Sequence, residues 1–259
     1  MFFLFFIFLF SGCAMQKRSC PPIAATSQAE AILKEYSAGL KPLKATGNCT
    51  LSYTNEKGET FAQSFPVRIW FESNRKFCLY GDVMFDPRGI GFAVNGDDYW
   101  TYAKPFGTYV TGKVNTTSGD YFSNPSVLVD FLEPLGGNYS EIVLAEAKDD
   151  SILICREGPG CISKKIYIGR CGRTVKKIEY FNCAEKPALI VEADEYKNVT
   201  GENFSFPRKL IYRYSEGQKN DRHLMQIKLD SVQYWKQQPQ QVKALFTPPD
   251  ANSIKKETK

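Results

Sequence analysis

The chain has 259 residues and carries 33 Lys and Arg against 28 Asp and Glu, a net charge of +5, with a single histidine, His223. The basic excess is mild and scattered, without the clustered runs that nucleic-acid binding requires, so a nucleic-acid partner is excluded. The length suits one domain with a core of its own, or at most two small ones, and the 19 Phe and 14 Tyr give that core its bulk.

The chain opens "MFFLFFIFLFSGCAMQKRSCPP". Nine consecutive apolar residues, Phe2 to Phe10, are about half of the roughly 20 needed to span a bilayer. Their number fits the apolar region of a signal peptide, although no Lys or Arg precedes them. Phe10-Ser11-Gly12-Cys13 resembles the bacterial lipobox: an apolar residue, two small residues, then cysteine. That resemblance implies cleavage before Cys13 and acylation of its sulfur. The alternative is an ordinary secretory signal with an incidental cysteine. Ala14 stands where some bacteria place an inner-membrane retention Asp, which points to the outer membrane. The chain then divides into a signal peptide (1–12), an acylated tether (13–22), a folded domain (23–250) and a polar tail (251–259) expected to be disordered.

The eight cysteines are Cys13, Cys20, Cys49, Cys78, Cys155, Cys161, Cys171 and Cys183. Export implies an oxidising compartment in which some of them pair. Acylation of Cys13 leaves an odd number, so at least one is free or paired outside the chain, with Cys20 of the tether as the candidate. No CxxC spacing occurs, which argues against a zinc site, and no metal or cofactor is expected. The Asn-x-Ser/Thr sites at Asn48, Asn115, Asn138, Asn198 and Asn203 read as coincidence in an Asn-rich polar surface.

The first element of the domain is a helix. Ser27 and Glu30 form a capping-box pattern, and Ala29, Ile32, Leu33, Tyr36 and Leu40 share one face before Gly39 and Pro42 end it. Strands follow: "KATGNCTLSYT", "TFAQSFPVRIWFE", "KFCLYGDVMF", "GFAVNG" and "DYWTYA", the last two joined at Asn95-Gly96, a strong hairpin signal. Val67, Ile69 and Phe71 alternate with Arg68 and Glu72, so one face is buried and the other wet. A second helix is predicted from Asn124 and Pro125 through Val127, Leu128, Phe131, Leu132 and Leu135, stopped at Gly136-Gly137. Strands resume with "EIVLAEA", "SILICRE", "CISKKIYIG", "TVKKIEYFN", "ALIVEADEY", "KLIYRYSE" and "HLMQIKLDSVQYW", and "ALFTPPD" closes the domain. Without helical crossovers, this is mainly β with some α. About eleven strands form a single curled antiparallel sheet, an incomplete β-barrel lidded by amphipathic helices.

This order of elements resembles the lipoprotein carriers and receptors of the bacterial Lol pathway and the wider outer-membrane lipoprotein-sorting superfamily. The resemblance rests on "AILKEYSAGLKPLKATGNCTLSY", "GFAVNGDDYWTYAKP", "NPSVLVDFLEPLGG", "IYIGRCGRTVKKIEYFN" and "FPRKLIYRYSEGQKNDRHLMQIKLDSVQYW" with its closing "LFTPPD", taken in that order from Ile23 to Asp250. It implies an acyl-chain ligand, typically of a lipoprotein, held in the concave face under a helical lid. It further implies a membrane-anchored receptor or sorting factor facing the periplasm, with a periplasmic carrier or another envelope protein as partner. Family carriers tether the lid with an early-strand Arg, for which Arg68 is the nearest candidate. Family receptors expose an apolar loop, and Met84 and Phe85 fall in that place. The alternating set taken to line the groove is Ile69, Phe71, Phe77, Leu79, Phe92, Val94, Trp100 and Tyr102.

Catalysis finds little support. No Ser sits in a GxSxG elbow, Gly89-x-Gly91 lacks the rest of a dinucleotide motif, and Asp97-Asp98 and Asp149-Asp150 are turn residues by position. The chain is therefore read as a non-enzyme. The second reading is a cell-envelope lipoprotein that uses the same half-barrel as a structural or protein-binding module, its cavity filled by its own side chains. A groove of several hundred cubic ångströms would favour the first, and a concave face plugged by aromatics the second.

Overall fold

A computed structural model describes residues 20–54, 58–83, 86–114, 125–182, 186–215, 222–235, 243–251 and 254. Cys13 and its lipobox, the loop residues Met84 and Phe85, the helix cap Asn124, and Cys183 lie outside the described residues.

Helix α1 (Thr26–Ala38) buries Ala29 and Leu33, and Ile32, Tyr36 and Leu40 pack against the same core, the face predicted from the sequence. Its start differs from the predicted capping box. The N-cap is Ala25, which puts Ser27 already inside the helix, and Gln28 supplies the acceptor for the Ala24 N–H at 2.9 Å.

Six strands then run as an antiparallel meander: β1 (Leu43–Thr54), β2 (Thr60–Ser73), β3 (Lys76–Val83), β4 (Asp86–Asn95), β5 (Asp98–Ala103) and β6 (Thr108–Lys113). Two short 3-10 turns follow later in the chain, Pro125–Leu128 and Asp130–Leu132. The chain continues on the far edge of the same sheet as β7 (Glu141–Glu146), β8 (Asp150–Gly158), β9 (Cys161–Gly169), β10 (Val175–Tyr180) and β11 (Leu189–Asp194). A two-stranded hairpin, β12 (Lys197–Asn198) with β13 (Ser205–Phe206), precedes β14 (Lys209–Ser215) and β15 (Arg222–Tyr234). The last strand returns beside the first, and the order is β6-β5-β4-β3-β2-β1-β15-β14-β11-β10-β9-β8-β7. The edges β6 and β7 do not pair, so the curled sheet is not closed. Among the described residues this sheet has thirteen strands where the sequence pattern gives about eleven. The strand with no apolar signal is β6, an edge strand with no buried position.

The two meanders join at β1 and β15, where the register slips between Thr46 and Gly47 and leaves Asp230 as an extra residue on β15. A bulge at this position bends the sheet. It also brings the two backbones so close that a Cβ on Gly47 would lie 2.1 Å from the Lys228 carbonyl oxygen.

The predicted second helix is instead the pair of 3-10 turns. An amphipathic helix buries one side, but Val127, Leu128, Val129, Phe131 and Leu132 are all buried. The segment lies inside the half-barrel, so every side of it needs apolar surroundings, and only Asp130 carries charge.

Cys20 is bonded to Cys171, which ties the start of the domain to the β9–β10 turn, so the reading of Cys20 as the odd thiol is corrected. Cys161 is also disulfide-bonded. Cys49, Cys78 and Cys155 are free and buried. The closing segment is ordered further than expected. Phe246 and Ile254 are buried against the outer face of β2–β5, where the Tyr80 hydroxyl donates to the Leu245 carbonyl at 2.6 Å. The polar tail predicted from Ala251 therefore includes a core residue.

Candidate functional site: the concave face and its plug

Alternation sorts each strand into an inner and an outer set. The inner set is one continuous core with contributions from β1 to β5, β7 to β11, β13 to β15, α1 and both 3-10 turns. The outer set is a smaller cluster of Trp70, Cys78, Tyr80, Ala93, Trp100 and Tyr102 under Phe246 and Ile254.

Of the eight groove candidates, Phe71, Phe77, Leu79 and Val94 belong to the inner core, with Ile69 and Phe92 packed against it. Trp100 and Tyr102 do not join them. They stand on the outer face, and the inward residue of β5 in this region is Tyr99. The cause is the turn between β4 and β5. Asn95 pairs with Asp98 around Gly96-Asp97, so Val94 faces Tyr99 and Phe92 faces Thr101. A shift of one position sends every side chain of a strand to the other face.

The 3-10 turns fill the concave face. Phe131 and Leu132, with Leu128 and Val129, sit over Ile69, Phe71, Phe77 and Leu79 of β2 and β3 and over Leu43, Ala45, Leu210, Ile227 and Leu229 of the strands beside them. The space left between them is about 20 Å³, room for about one water molecule. Every residue lining it is apolar.

The plug is held by polar contacts at both ends. The Tyr212 hydroxyl donates to the Leu128 carbonyl at 2.8 Å, and Ser37 of α1 donates to the Leu132 carbonyl at 2.9 Å. Between these ends, Asp130 accepts from Lys164 Nζ at 2.6 Å and from the Tyr180 hydroxyl at 2.5 Å. Lys164 also donates to the Pro134 carbonyl at 3.2 Å and lies 5.2 Å from the centre of the Tyr180 ring. Lys164 and Tyr180 are direct cross-strand partners on β9 and β10, and Cys155 of β8 is paired with Lys164 on its other side. The row is therefore set by sheet register.

Lys164 is buried, its side chain 7% exposed. Burial works against the ammonium charge, but Asp130 and the Tyr139 hydroxyl outweigh it and hold the Lys164 pKa above the ordinary lysine value. The Tyr180 hydroxyl is pushed well above its usual pKa by burial and then by the Asp130 carboxylate. Removing one partner of a buried ion pair costs about 3–5 kcal/mol, because the other charge is left unpaired in a poor solvent.

Arg68 does not act as the lid tether. It lies on the outer set of β2 and pairs with Asp82 across β3. Lys164 of β9 makes the tether instead. The sequence carries a signal for this: Lys164 alternates with Ile166 and Ile168 in "CISKKIYIG", and Asp130 is the single charge in "SVLVDFL".

Comparison with known proteins bears on the fold. The sequence matches no family model and no curated protein. Solved structures do match. A LolA superfamily protein from Nitrosomonas europaea aligns over 85% of this chain and 97% of its own, with a TM-score of 0.56 and 11% identity. A DUF1329 family protein from Desulfovibrio piger aligns over 85% and 96%, with a TM-score of 0.55 and 11% identity. A protein from Vibrio parahaemolyticus described as an outer membrane lipoprotein-sorting domain aligns over 88% and 99%, with a TM-score of 0.52 and 13% identity. The chain has the LolA-like fold: one large, unclosed antiparallel sheet covered on its concave side by helical segments.

Proposed function

We propose that this protein is a cell-envelope lipoprotein, anchored through Cys13 and facing the periplasm, that takes an acyl chain of a lipoprotein or lipid into its concave face when the Val127–Leu132 plug moves aside. The observation that carries the reading is the lining beneath the plug. Residues from β1, β2, β3, β14 and β15 present only apolar side chains there. The segment covering them is two short 3-10 turns rather than a helix. Such turns hold few internal hydrogen bonds, and the plug's carbonyls are bonded by side chains of other elements. Its stability is therefore tertiary, and it can leave as a unit. Each methylene that replaces it contributes roughly 0.8 kcal/mol of burial. The groove residues are then Ile69, Phe71, Phe77, Leu79, Phe92 and Val94. The absence of an inner-membrane retention Asp at position 14 supports the outer membrane.

A second reading has its own observation. A residual space of about 20 Å³ holds no acyl chain, and a permanently filled half-barrel serves as a scaffold or protein-binding module. Native mass spectrometry of delipidated full-length protein separates the two. Uptake of fatty acid or lipopeptide, lost in Phe71→Glu, supports acyl binding. No uptake, with Phe71→Glu retaining its envelope function, establishes the scaffold.

A further inference from the structure

We infer that the groove selects an anionic single-chain amphiphile, with Lys164 and Tyr180 receiving its charged head. This rests on the acyl-binding reading and adds the chemistry of the head group to it.

The argument starts from what the concave face already binds. Its occupant is the chain's own segment Val-Leu-Val-Asp-Phe-Leu, residues 127–132: five buried apolar side chains and one carboxylate. The carboxylate meets Lys164 and Tyr180, and the apolar side chains meet the inner faces of β1–β3 and β14–β15. A molecule that displaces this segment takes over the same footprint. A hydrocarbon tail replaces the five apolar side chains without loss. The Asp130 position is different. An acyl chain in the groove excludes water, and a neutral head would leave the Lys164 ammonium without a counter-charge in an apolar setting. A carboxylate or phosphate restores both bonds that Asp130 makes, with Lys164 and Tyr180 donating.

The placement suits an amphiphile. Lys164 lies toward the start of β9 and Tyr180 at the end of β10, near the rim that carries the β8–β9 turn. Further along the same inner rows stand Leu153, Ile166, Ile168 and Ile178, none of which is accessible to solvent. The head therefore sits toward one rim and the tail follows the plug's apolar footprint over β1–β3 and β14–β15. This rim is opposite the one where Cys20 is bonded to Cys171.

The test uses four probes of equal chain length on delipidated full-length protein: palmitate, hexadecyl phosphate, hexadecanol and hexadecyltrimethylammonium. Binding is followed by native mass spectrometry and by competition with a fluorescent fatty acid. Palmitate or hexadecyl phosphate should bind at least tenfold tighter than hexadecanol, with the cationic probe weakest. The stronger of the two anions identifies the source as a free acid or a phosphate head. Lys164→Met should remove the preference for anions and keep hexadecanol binding. Should that variant fail to fold, Asp130→Asn supplies the second arm, because it frees Lys164 and should tighten palmitate more than hexadecanol. Equal binding of palmitate and hexadecanol by the unmodified protein overturns the head-group assignment while leaving acyl binding intact. Failure of all four probes, with Asp130→Asn included, overturns both.

Discussion

Cys49, Cys78 and Cys155 are sealed as thiols, and burial sets their chemistry. It raises Cys49 and Cys78 to about 12 and Cys155 to about 11. Above the unfolded thiol pKa the native state holds protons that the unfolded chain has released. Stability is therefore unaffected below about pH 8.5 and falls as pH climbs toward 11–12, by about 1.4 kcal/mol per pH unit for each thiol. Urea unfolding at pH 7.5 and pH 10.5 should show this drop, and Cys49→Ala should reduce it. A second residue-scale expectation concerns Gly47. A methyl there meets backbone on the neighbouring strand, 2.1 Å from the Lys228 oxygen and 2.8 Å from the Leu229 Cα. Backbone cannot rotate away as a side chain can, so Gly47→Ala should cost about 1–3 kcal/mol in a denaturant melt.

At the scale of elements, the plug is fixed largely by contacts from other parts of the chain. Its turns are closed by Leu132 N–H to the Val129 carbonyl at 2.9 Å and Glu133 N–H to the Asp130 carbonyl at 3.1 Å. Its side-chain hydrogen bonds come from α1, β9, β10 and β14, and its apolar contacts from β1–β3, β14 and β15. Asp130→Asn should therefore speed amide exchange at Leu132 and Glu133 by about tenfold or more, the equivalent of 1.4 kcal/mol, and leave the β9 amide of Ile166 unchanged. Equal acceleration at all three amides would mean that Asp130 stabilises the whole fold rather than the plug. The elements also show where sequence reading is weakest. Inside β2, Val67, Ile69 and Phe71 alternate with Arg68 and Glu72 and give the buried face directly. Across the β4–β5 turn alternation does not, because Tyr99 and Trp100 are equally suited to burial. The hydrogen-bonded register around Gly96-Asp97 turns Tyr99 inward. Trp100 finds an equally apolar neighbourhood on the outer face only because Phe246 and Ile254 return to cover it.

For the whole molecule, the disulfide between Cys20 and Cys171 closes a loop across 151 positions, joining the start of the domain to the β9–β10 turn. A loop of that length restricts the unfolded chain by up to about 5 kcal/mol in the chain-entropy account. Cys171→Ser should lower the denaturation midpoint accordingly, and reductant should lower that of the unmodified protein at least as far, because it also opens the disulfide of Cys161. The bond also bears on the proposed anchoring. With Cys13 acylated, the seven residue steps from Cys13 to Cys20 reach at most about 25 Å. An anchor there would keep the β9–β10 turn tethered close to the bilayer.

The amino-acid sequence by itself determined most of the strands, the first helix with its buried face, and the architecture of one curled antiparallel sheet under helical cover. These follow from local periodicity and turn chemistry, which act over a few residues. Tertiary structure decided what the concave face contains. Whether "SVLVDFL" forms a surface helix or a buried plug depends on apolar walls supplied by strands before and after it in the chain. Whether Lys164 is a surface charge or a tether depends on Asp130, 34 positions away, arriving at its side. The same holds for Trp100, whose face is chosen by register and by a closing segment from the far end of the chain. Such contacts join residues that no local pattern links, so they exist only once the sheet has curled.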